Sequence, residues 1–518
     1  MYPVIVTLVI LAAAVALFVW NRLPVGVVAI GVALSLALTG ILDYEQALAG
    51  FGDPVIVFIA ALFVVSEGLD ATGVTTWAGQ QLVDRAGSNT RKLTLLVMLL
   101  VAILAALISV NGAVAALLPM VVVLAVRIRQ PASKMLIPLA FGAHAGSLLV
   151  LTGSPVSVLV NEFIADTGAE PVPFFGFSLV GVPVLLGTVL IVLFLGPRLL
   201  PARTPAAATR DLSAHAMTLV TQYSLDDERA GITRDYGLTE VVVPPRSEFI
   251  GEEVFPGMVT DSGQLVIVAI QRGGEELGRT TLQVGDIMLL RGTWTALDTN
   301  TQDPNVLVVD PPQSVRRQAA PLGAPAKKAV VILLGMVVLL ATGLVPPAIA
   351  ALIAAVAMVV LRVLSVNQAH RSISWTTLIL VGGMIPLSTA IQVSGVADLV
   401  ANGIVAGLGT ASPYLLLFGI ALVTVVLGQL ISNTATALIL APIAIAIAAE
   451  TGLSPVPLLM AVAVAAAASF LTPVATPANT MVYGPGGYSF GDYWKLGLPL
   501  VLLFIAVATF LVPIFWPF

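Results

Sequence analysis

Apolar runs of membrane-spanning length recur along almost the whole of this 518-residue chain, and they restrict its fold more than any other feature. Hydrophobic residues make up 58% of the sequence and charged residues only 10%, a balance that no water-soluble domain of this size tolerates on its surface. Most runs are long enough to cross a hydrocarbon core of about 30 Å as a helix, and they lack the two-residue alternation of a barrel strand. We therefore predict an all-α polytopic membrane protein. The runs are 3–20, 23–41, 54–66, 178–197, 329–342, 347–361, 376–391 and 496–516.

The composition also excludes several classes of function. The chain has no cysteine, which removes disulfides, thiol catalysis and zinc–thiolate sites together. The net charge of −5 is spread thinly and implies no nucleic-acid partner. No P-loop sequence is present, so we do not expect an ATP-driven pump in a single chain. We also predict that the chain is not an enzyme. The first apolar run lacks a basic leader and a small-residue cleavage site, and we interpret it as a retained helix.

The chain repeats itself at a spacing of 322 residues. One offset without gaps aligns the first half, from about residue 5 to 161, with the second half, and the register then changes by six. Two unrelated apolar stretches would not produce such an alignment by chance, so we predict a tandem duplication. The aligned pairs include Pro24 with Pro346, Asn111 with Asn433, Ser147 with Ser469, Pro155 with Pro477 and Gly181 with Gly497.

In each copy the sequence pattern predicts three spanning helices, then a hydrophobic segment long enough for a pair of helices, and then two more helices. The first of these last two helices is interrupted. The paired segments, 93–126 and 412–449, are too long for one crossing and carry their polar residues at the midpoint. This pattern is typical of a re-entrant hairpin whose tip stops inside the membrane. Each copy then makes five crossings, an odd number, so we predict two inverted repeats of five transmembrane helices, each with a re-entrant hairpin.

Charge placement gives an independent prediction of topology. If the chain begins outside the cell, all 23 lysine and arginine residues lie inside, as the positive-inside rule requires. We therefore expect a multi-pass protein of the cell (inner) membrane with both termini outside.

Residues 199–326 interrupt the apolar pattern between the membrane repeats, which we place at 1–198 and 327–518. A Pro/Ala/Thr linker leads into short β-branched runs separated by glycine-rich turns. These runs predict a small cytoplasmic α/β domain of roughly one hundred residues.

The segment "VVVPPRSEFIGEEV…GQLVIVAIQRGGEELGRTTLQVGDIMLLRGT" resembles a TrkA-C domain, the C-terminal half of the regulatory modules of potassium transport systems, over about 235–293. The resemblance implies a unit that binds a small ligand and dimerises. A ligand-free structural or dimerisation module is the equally open alternative.

An apolar stretch at 430–442 is interrupted at its middle by Ser432, Asn433 and Thr434, none of them charged. In the following stretch, 470–488, three prolines remove backbone donors and predict a helix break near 473–478. A broken helix at membrane depth is tolerated only around a polar cavity. We expect the break to lie opposite the hairpin tip, and the first copy to supply the counterparts Asn111 and Thr152–Pro155.

These elements favour a site for an anion and a small hard cation. Helix N-termini offer donors to an anion, while unwound carbonyls and side-chain oxygens can hold a cation. Segments 93–126 and 456–491 contain no charged residue, so the charge of a divalent anion needs a co-bound ion, and sodium is the economical choice. Proton coupling would need a titratable group, for which His144, Glu67 and Asp70 are candidates, each more often structural.

The triplet Ser-Asn-Thr has an ordinary alternative explanation. Small and hydroxyl residues also pack membrane helices together, and only the repeat and the paired breaks favour a binding site. The same triplet at Ser88-Asn89-Thr90 lies in a charged loop beside Arg91 and receives no ligand role.

At Ser432-Asn433-Thr434 and in "TPVATPANTMVYGPGGYSFGDYWKLGLP" the sequence resembles the divalent-anion:sodium symporter family, over about 390 residues outside the insert. The resemblance implies sodium sites at both hairpin tips and both broken helices. It also implies a homodimer whose transport domain moves like an elevator.

The resemblance assigns site residues in both copies. In the second copy it implies sodium ligation by Ser432, Asn433 and the Ala475 carbonyl, and substrate contacts from Asn433, Thr434, Thr476 and Pro477. In the first copy Val110-Asn111-Gly112 replaces the triplet, which leaves sodium stoichiometry and substrate identity open. There the implied residues are Ser109, Asn111 and the Gly153 carbonyl for sodium, and Asn111, Ser154 and Pro155 for substrate.

The sequence thus predicts a sodium-coupled secondary transporter of a divalent anion, either a sulfate-like oxyanion or a small dicarboxylate, regulated by its insert. Its expected partners are that anion, sodium, the lipid bilayer, a second copy of the chain and a small ligand on the insert. A ligand-regulated ion channel or cation exchanger is the alternative, and it would need a continuous pore lined by carbonyl or carboxylate rings. A transport-incompetent sensor is a third possibility, favoured by Val110 and Gly112.

Overall fold

A computed structural model describes the chain except at residues 1, 21, 76, 79–80, 82–89, 128–129, 204–235, 302, 310–324 and 409–411. Two compact units make up the structure. The first contains residues 1–70, 78–208 and 325–518 and is helical. The second contains 71–77 and 209–324 and is built around a β-sheet.

The helices of the first half begin with an exposed, apolar helix at Tyr2–Trp20 and end with a proline-containing helix at Ser178–Leu199. Short 3-10 turns at Gly50–Gly52 and Leu151–Gly153 interrupt the series. The helices are Tyr2–Trp20 (α1), Val25–Leu38 (α2), Tyr44–Ala49 (α3), Pro54–Ala71 (α4), Thr90–Leu107 (α5), Val110–Arg127 (α6), Ser133–Gly146 (α7), Pro155–Asp166 (α8) and Ser178–Leu199 (α9).

The structure describes one helix in the insert, Trp294–Asn300 (α10). After the insert, the second half follows the order of the first and has two further described helices, Val396–Leu408 and Val512–Phe515. Its last helix continues through a π-helical stretch, Val507–Leu511. The helices are Ala326–Thr342 (α11), Pro347–Val360 (α12), Val366–Ser372 (α13), Trp375–Val393 (α14), Val396–Leu408 (α15), Pro413–Gly428 (α16), Asn433–Thr451 (α17), Pro455–Ala466 (α18), Pro477–Tyr483 (α19), Tyr493–Ala506 (α20) and Val512–Phe515 (α21).

Apolar side chains cover the outside of the helical unit. Leu38, Phe194 and Val360 are 80%, 68% and 69% exposed, which would be unfavourable in water but suits contact with lipid. Within the described residues, seven helical segments are long and apolar enough to cross a membrane. The prediction of a helical, multi-span membrane protein is therefore confirmed. The segments are Tyr2–Trp20, Tyr44–Ala71, Thr90–Leu107, Ser178–Leu199, Trp375–Val393, Asn433–Thr451 and Phe490–Phe515.

The same helix-capping hydrogen bonds occur at positions that are 322 residues apart. Asp43 and Gln46 form a capping box at the start of α3, each side chain bonding the other residue's backbone N–H. Ser365 and Gln368, 322 positions later, form the same box at the start of α13. The carboxylate of Asp43 and the hydroxyl of Ser365 can both accept the hydrogen bond of a capping box. The two repeats can therefore differ in the capping residue and still form the same turn.

A left-handed residue follows α2 and α12 at matching positions. Gly40 has φ +70°, and Arg362, again 322 positions later, has φ +57°. Among the described residues Arg362 is the one non-glycine with a positive φ. The turn geometry has therefore been kept in the second copy although the residue there bears a Cβ.

The described strands of the insert are Tyr236–Val242 (β1), Glu253–Val254 (β2), Leu265–Arg272 (β3), Glu275–Leu277 (β4), Thr280–Thr281 (β5), Ile287–Thr293 (β6) and Leu307–Val308 (β7). Five of them form an antiparallel sheet in the order β4-β3-β6-β1-β7. Its two longest pairings join β6 to β1 and to β3. The sheet packs on an apolar core that includes Val241, Ile270 and Trp294, which supplies the apolar burial that a compact unit needs.

One ion pair fixes a turn of this sheet. Arg272 donates from Nε and Nη2 to the two carboxylate oxygens of Asp286, each at 2.7 Å. Gln283 N–H donates to the same carboxylate at 2.8 Å. The hydrogen bonds from Arg272 are the main reason that the pKa of Asp286 lies below its ordinary value.

Candidate functional site

Two helices are interrupted at matching places. α7 ends at Gly146 and the chain resumes as α8 at Pro155, while α18 ends at Ala466 and resumes as α19 at Pro477. Each proline occupies the first helical position, where its missing N–H costs nothing. The second interruption therefore spans 467–476, slightly before the predicted 473–478.

A hydroxyl caps each restarted helix. Ser154 Oγ accepts a hydrogen bond from Val156 N–H at 3.2 Å, and Thr476 Oγ1 accepts one from Asn479 N–H at 3.3 Å. Both hydroxyls satisfy backbone donors that a helix start would otherwise leave unpaired. Two residues that the sequence predicts to face substrate thus also hold the helix ends in place.

The hairpins are also interrupted, at their polar midpoints. α16 ends at Gly428 and α17 begins at Asn433, with Ser432 Oγ accepting from Ala435 N–H at 3.2 Å. Ser432, Asn433 and Thr434 are half-buried, so a ligand can contact their polar atoms.

In the first hairpin the cap is shifted by one residue relative to the sequence alignment. Ser109 Oγ accepts from Gly112 N–H at 3.1 Å and so takes the N-cap position that Ser432 has in the second copy. Val110, which aligns with Ser432, is the first helical residue instead. Asn111 consequently lies one position deeper into its helix than Asn433 does, and it is exposed.

The short restarted helices cross over between the two halves. α8 of the first half packs on α17 and α18 of the second half, and α19 of the second half packs on α6 and α7 of the first. All four interrupted elements therefore meet within the helical unit. These helices pack on each other although they are more than 260 positions apart in the chain.

Side chains tie the second hairpin tip to the second interruption. Ser469 Oγ donates to Asn433 Oδ1 at 2.6 Å. Gln429 Nε2 donates to the Ala468 carbonyl at 3.0 Å, and Gln429 Oε1 accepts from Leu471 N–H at 3.0 Å. The two bonds of Gln429 satisfy unwound backbone groups that the membrane could not hydrate.

Asn479 holds the same interruption from the other side. Its side-chain Nδ2 donates to the backbone carbonyls of Ser469 at 2.7 Å and Thr472 at 3.1 Å. The backbone carbonyl of Asn479 accepts from the Tyr493 hydroxyl at 2.7 Å. The Oδ1 atom is buried and has no hydrogen-bond partner within the described residues, and neither does the buried Thr472 Oγ1. Such groups are costly to leave unpaired, which is typical of a binding site.

The first interruption is held differently. Thr152 Oγ1 donates to the Ala106 carbonyl of the first hairpin at 3.1 Å. Ser147, the counterpart of Ser469, donates at 2.8 Å to the carbonyl of His144 on its own helix. The serine that restrains Asn433 in the second copy therefore serves its own helix in the first, and the two halves of the region are not equivalent.

A contact between His144 and Thr476 joins the two interruptions. His144 lies in the last turn of α7, is 2% exposed, and places Nε2 3.0 Å from Thr476 Oγ1. Its ring also meets Phe470 edge-on, with centroids 5.8 Å apart. The sequence singled out His144 as a titratable candidate but gave no sign of this partner.

The remaining predicted residues take the following places. Gly153 and Ala475 are buried in the two interruptions, and Pro477 is exposed at the start of α19. Glu67 and Asp70 lie half-buried near the end of α4. Ser88 and Asn89, the repeated triplet without a ligand role, fall outside the described residues.

The chemistry of the region is that of neutral oxygens. Where the structure describes the chain, no group of three His, Asp or Glu side chains could hold a metal ion. A cation here would have to be held by hydroxyl, amide and carbonyl oxygens, the ligands that suit a hard ion.

Comparison with known proteins places the chain in a family. The family model for the citrate transporter, CitMHS, matches residues 15–437 and 405–518. The chain is 31% identical to the uncharacterized transporter YfbS of Escherichia coli, over 98% of both chains, and 25% identical to the uncharacterized transporter sll0640 of Synechocystis, over 99% and 97%.

More distant similarities point the same way. The chain is 25% identical to sodium/sulfate cotransporter 2 of Chlamydomonas reinhardtii, over 57% of this chain and 34% of that protein. The crystal structure of the Alcanivorax borkumensis YdaH transporter matches it with a TM-score of 0.52 and 15% identity over 97% and 98% of the two chains, which shows a shared fold. The chain therefore belongs to the CitMHS citrate transporter family and is a multi-pass membrane transporter, not an enzyme.

Proposed function

We propose that this transporter is a sodium-coupled secondary carrier of a divalent anion, a sulfate-like oxyanion or a small dicarboxylate. The observation that carries the proposal is the meeting of four interrupted helical elements whose polar groups are neutral. Sodium/sulfate cotransporters are among the distant relatives, which supports the same ions.

Anion binding is assigned to the polar groups at the helix starts. α17 has 19 residues and begins in this region, so the N–H groups of Asn433 and Thr434 lie at its positive end. Thr476 adds a hydroxyl at the second interruption. From the first half, Asn111, Ser154 and Pro155 would complete the substrate contacts, and Pro477 would lie beside Thr476.

Sodium is assigned to two sets of oxygens. In the second half these are Ser432 Oγ, Asn433 Oδ1 and the Ala475 carbonyl, and in the first half Ser109 Oγ, Asn111 Oδ1 and the Gly153 carbonyl. The second set is the better organised, because Ser469 restrains Asn433 Oδ1 at 2.6 Å while Ser147 bonds its own helix. We therefore expect the second sodium site to be the stronger one.

The charge of the substrate supports sodium coupling. Segments 93–126 and 456–491 contain no lysine or arginine, so no side chain there neutralises a divalent anion. Transfer of an uncompensated charge into the bilayer is costly, and bound sodium ions would remove that cost.

The arrangement of the whole transporter follows from the duplication. We propose two inverted repeats, with both termini outside the cell, the insert in the cytoplasm and the polar tips acting as re-entrant hairpins. The repeated caps and turns support the duplication, and the crossing of α8 and α19 between halves supports a shared binding region. The transport part would move against a scaffold, like an elevator, in a homodimer.

For the insert we propose a TrkA-C-like regulatory role with a small ligand or a second copy as its partner. The antiparallel sheet with a closed apolar core supports an independently folded soluble module. We place this domain at 199–326, between membrane repeats at 1–198 and 327–518.

Uptake into proteoliposomes tests the proposal. Radiolabelled sulfate, succinate and citrate are supplied with an inward sodium gradient or with potassium in its place. We expect sodium-dependent accumulation of at least one anion, abolished by Asn433→Ala and unchanged by the matched control Ser88→Ala. Sodium-independent flux of all three anions would contradict sodium coupling and favour a proton-coupled system. Unitary currents in planar bilayers would favour a channel over a carrier.

A further inference from the structure

The contact between His144 and Thr476 joins the two halves of the transporter at the proposed binding region. His144 comes from α7 of the first half, and Thr476 caps α19 of the second half. Both side chains are buried, at 2% and 7% exposure, and their polar atoms lie 3.0 Å apart. Burying either polar side chain without a partner would cost free energy, so the two groups stabilise each other through this hydrogen bond.

The hydrogen bonds of the Thr476 hydroxyl determine what it can offer a ligand. A hydroxyl has two lone pairs and one proton. One lone pair accepts from Asn479 N–H at 3.3 Å, which leaves one lone pair and the proton. If His144 Nε2 carries a proton, it donates to the second lone pair, and the hydroxyl proton is free to point at a ligand. If Nε2 is bare, it takes that proton instead.

The surroundings of the ring favour the donating form. Asn479 lies in the first turn of α19, the turn that Thr476 caps, and its Oδ1 is a buried acceptor without a hydrogen-bond partner among the described residues. A buried acceptor left unpaired in this turn favours a ring N–H over a bare ring nitrogen, so we assign the proton of His144 to Nε2.

We propose that His144 is a positioning residue for substrate binding, which donates from Nε2 to Thr476 Oγ1 so that the Thr476 hydroxyl presents its proton to the bound anion. The inference rests on the proposed function, because an anionic substrate benefits strongly from that donor whereas a cation does not. His144 itself does not have to touch the substrate or change its charge.

The other half of the transporter lacks this device. The repeat pairs Thr476 with Ser154 and His144 with Ala466, whose side chain has no hydrogen-bonding atom. Ser154 also caps its helix, but no histidine stands at the position that would orient it. Substrate affinity should therefore depend more on Thr476 than on Ser154.

The test measures half-saturating concentrations for the anion and for sodium separately, in proteoliposomes. The probe is whichever of labelled sulfate, succinate and citrate the unmodified transporter takes up. His144→Leu should raise the half-saturating anion concentration about tenfold, the loss expected for a hydrogen bond to a charged group, and leave that for sodium unchanged. His144→Gln, whose amide nitrogen reaches about as far as Nε2, should stay within about threefold of the unmodified protein.

A double-mutant cycle separates positioning from general packing. Thr476→Val removes the hydroxyl with little change of shape, and in that background His144→Leu should have no further effect on the anion. The inference would be overturned if His144→Leu raised the half-saturating anion concentration equally in the unmodified and Thr476→Val backgrounds, or if it shifted the values for anion and sodium equally. It would also be overturned if His144→Leu left the half-saturating anion concentration unchanged.

Failure of the proposed function gives a different result. If the unmodified transporter accumulates none of the three anions with sodium, the proposed function falls and the inference falls with it. If uptake is normal and only the histidine variants behave unexpectedly, the inference alone is wrong. Size-exclusion chromatography of His144→Gln and Thr476→Val checks folding in case His144→Leu cannot be produced.

Discussion

Gly497 lies so close to the backbone carbonyl of Phe470 that a Cβ on the glycine would stand 2.2 Å from the carbonyl oxygen. Gly181 lies in the same way against the carbonyl of Leu148, at 2.1 Å. Phe470 and Leu148 are paired by the 322-residue repeat, and the two glycines are paired after its change of register. Each interrupted helix thus rests against a glycine of the helix that follows, and unwound backbone is covered by close packing instead of water.

Replacing Gly497 by alanine should destabilise the transporter. The added methyl group would contact a carbonyl oxygen that cannot move without shifting the second interruption, and overpacking of this kind costs about 1–3 kcal/mol. Thermal unfolding in detergent should show a lower midpoint. Gly335→Ala is the matched control, because nothing lies within 4 Å of its Cβ position and alanine favours the helix. Equal midpoints for the two variants would refute the role of close packing.

The left-handed turn after α12 gives a prediction of opposite sign. Arg362 has φ +57°, where a Cβ is strained by roughly 1–2 kcal/mol, whereas Gly40 at the matching turn avoids that strain. Arg362→Gly should therefore raise the unfolding midpoint by the equivalent of about 1 kcal/mol. Gly40→Ala should lower it, although nothing lies within 4 Å of the new methyl group. The same direction of change in both variants would contradict the argument.

Local sequence signals predicted the duplication, the hairpin tips and the helix breaks, because prolines and uncharged polar residues are conspicuous in apolar runs. The second break nevertheless begins earlier than predicted. Ala467 and Ala468 have high helix propensity, yet α18 ends at Ala466. The Gln429 side chain takes the Ala468 carbonyl, so a tertiary hydrogen bond overrides the local preference.

Contacts across the duplication could not be predicted from the sequence. The partner of His144 is 332 positions away, and neither residue has a pattern that points to the other. The N-cap of the first hairpin was uncertain for a related reason. Alignment by identity pairs Ser432 with Val110, but a cap is chosen by backbone geometry, and Ser109 supplies the oxygen one residue earlier.

The ion pair between Arg203 and Asp492 predicts unequal effects of its two members. Asp492 is 5% exposed and accepts from Ser489 N–H at 2.7 Å, Ser489 Oγ at 2.8 Å and Arg203 Nη1 at 2.8 Å. Arg203 is 45% exposed, so Arg203→Gln should cost less than about 1 kcal/mol of unfolding free energy. Asp492→Ala removes all three bonds and should cost about 2 kcal/mol. Unfolding midpoints in detergent compare them, and a larger effect of Arg203→Gln would contradict this order.

The stability of the insert should fall in acid through Asp286. Its pKa in the folded insert is lowered, chiefly by hydrogen bonds from Arg272, so its contribution is present above the ordinary value near 3.8 and is lost as pH falls through the lower, folded-state pKa. Hydrogen exchange over 236–308, corrected for intrinsic rates, should reveal faster opening below about pH 4. Asp286→Asn should open faster already at pH 7. Arg279→Gln is the control, because its pairing with Glu253 is long, at 3.9 Å, and exposed.

The bond from Ser469 to Asn433 predicts an unequal response to sodium. Ser469→Ala frees the Asn433 side chain, and loss of a restraint worth about 1 kcal/mol should raise the half-saturating sodium concentration about fivefold. Ser147→Ala, at the matching position, removes only a bond to the carbonyl of its own helix and should change the value less than twofold. Sodium titration of anion uptake in proteoliposomes compares the two variants. Equal shifts would show that the two sodium sites are equivalent, and the asymmetry between the halves would then have no bearing on coupling.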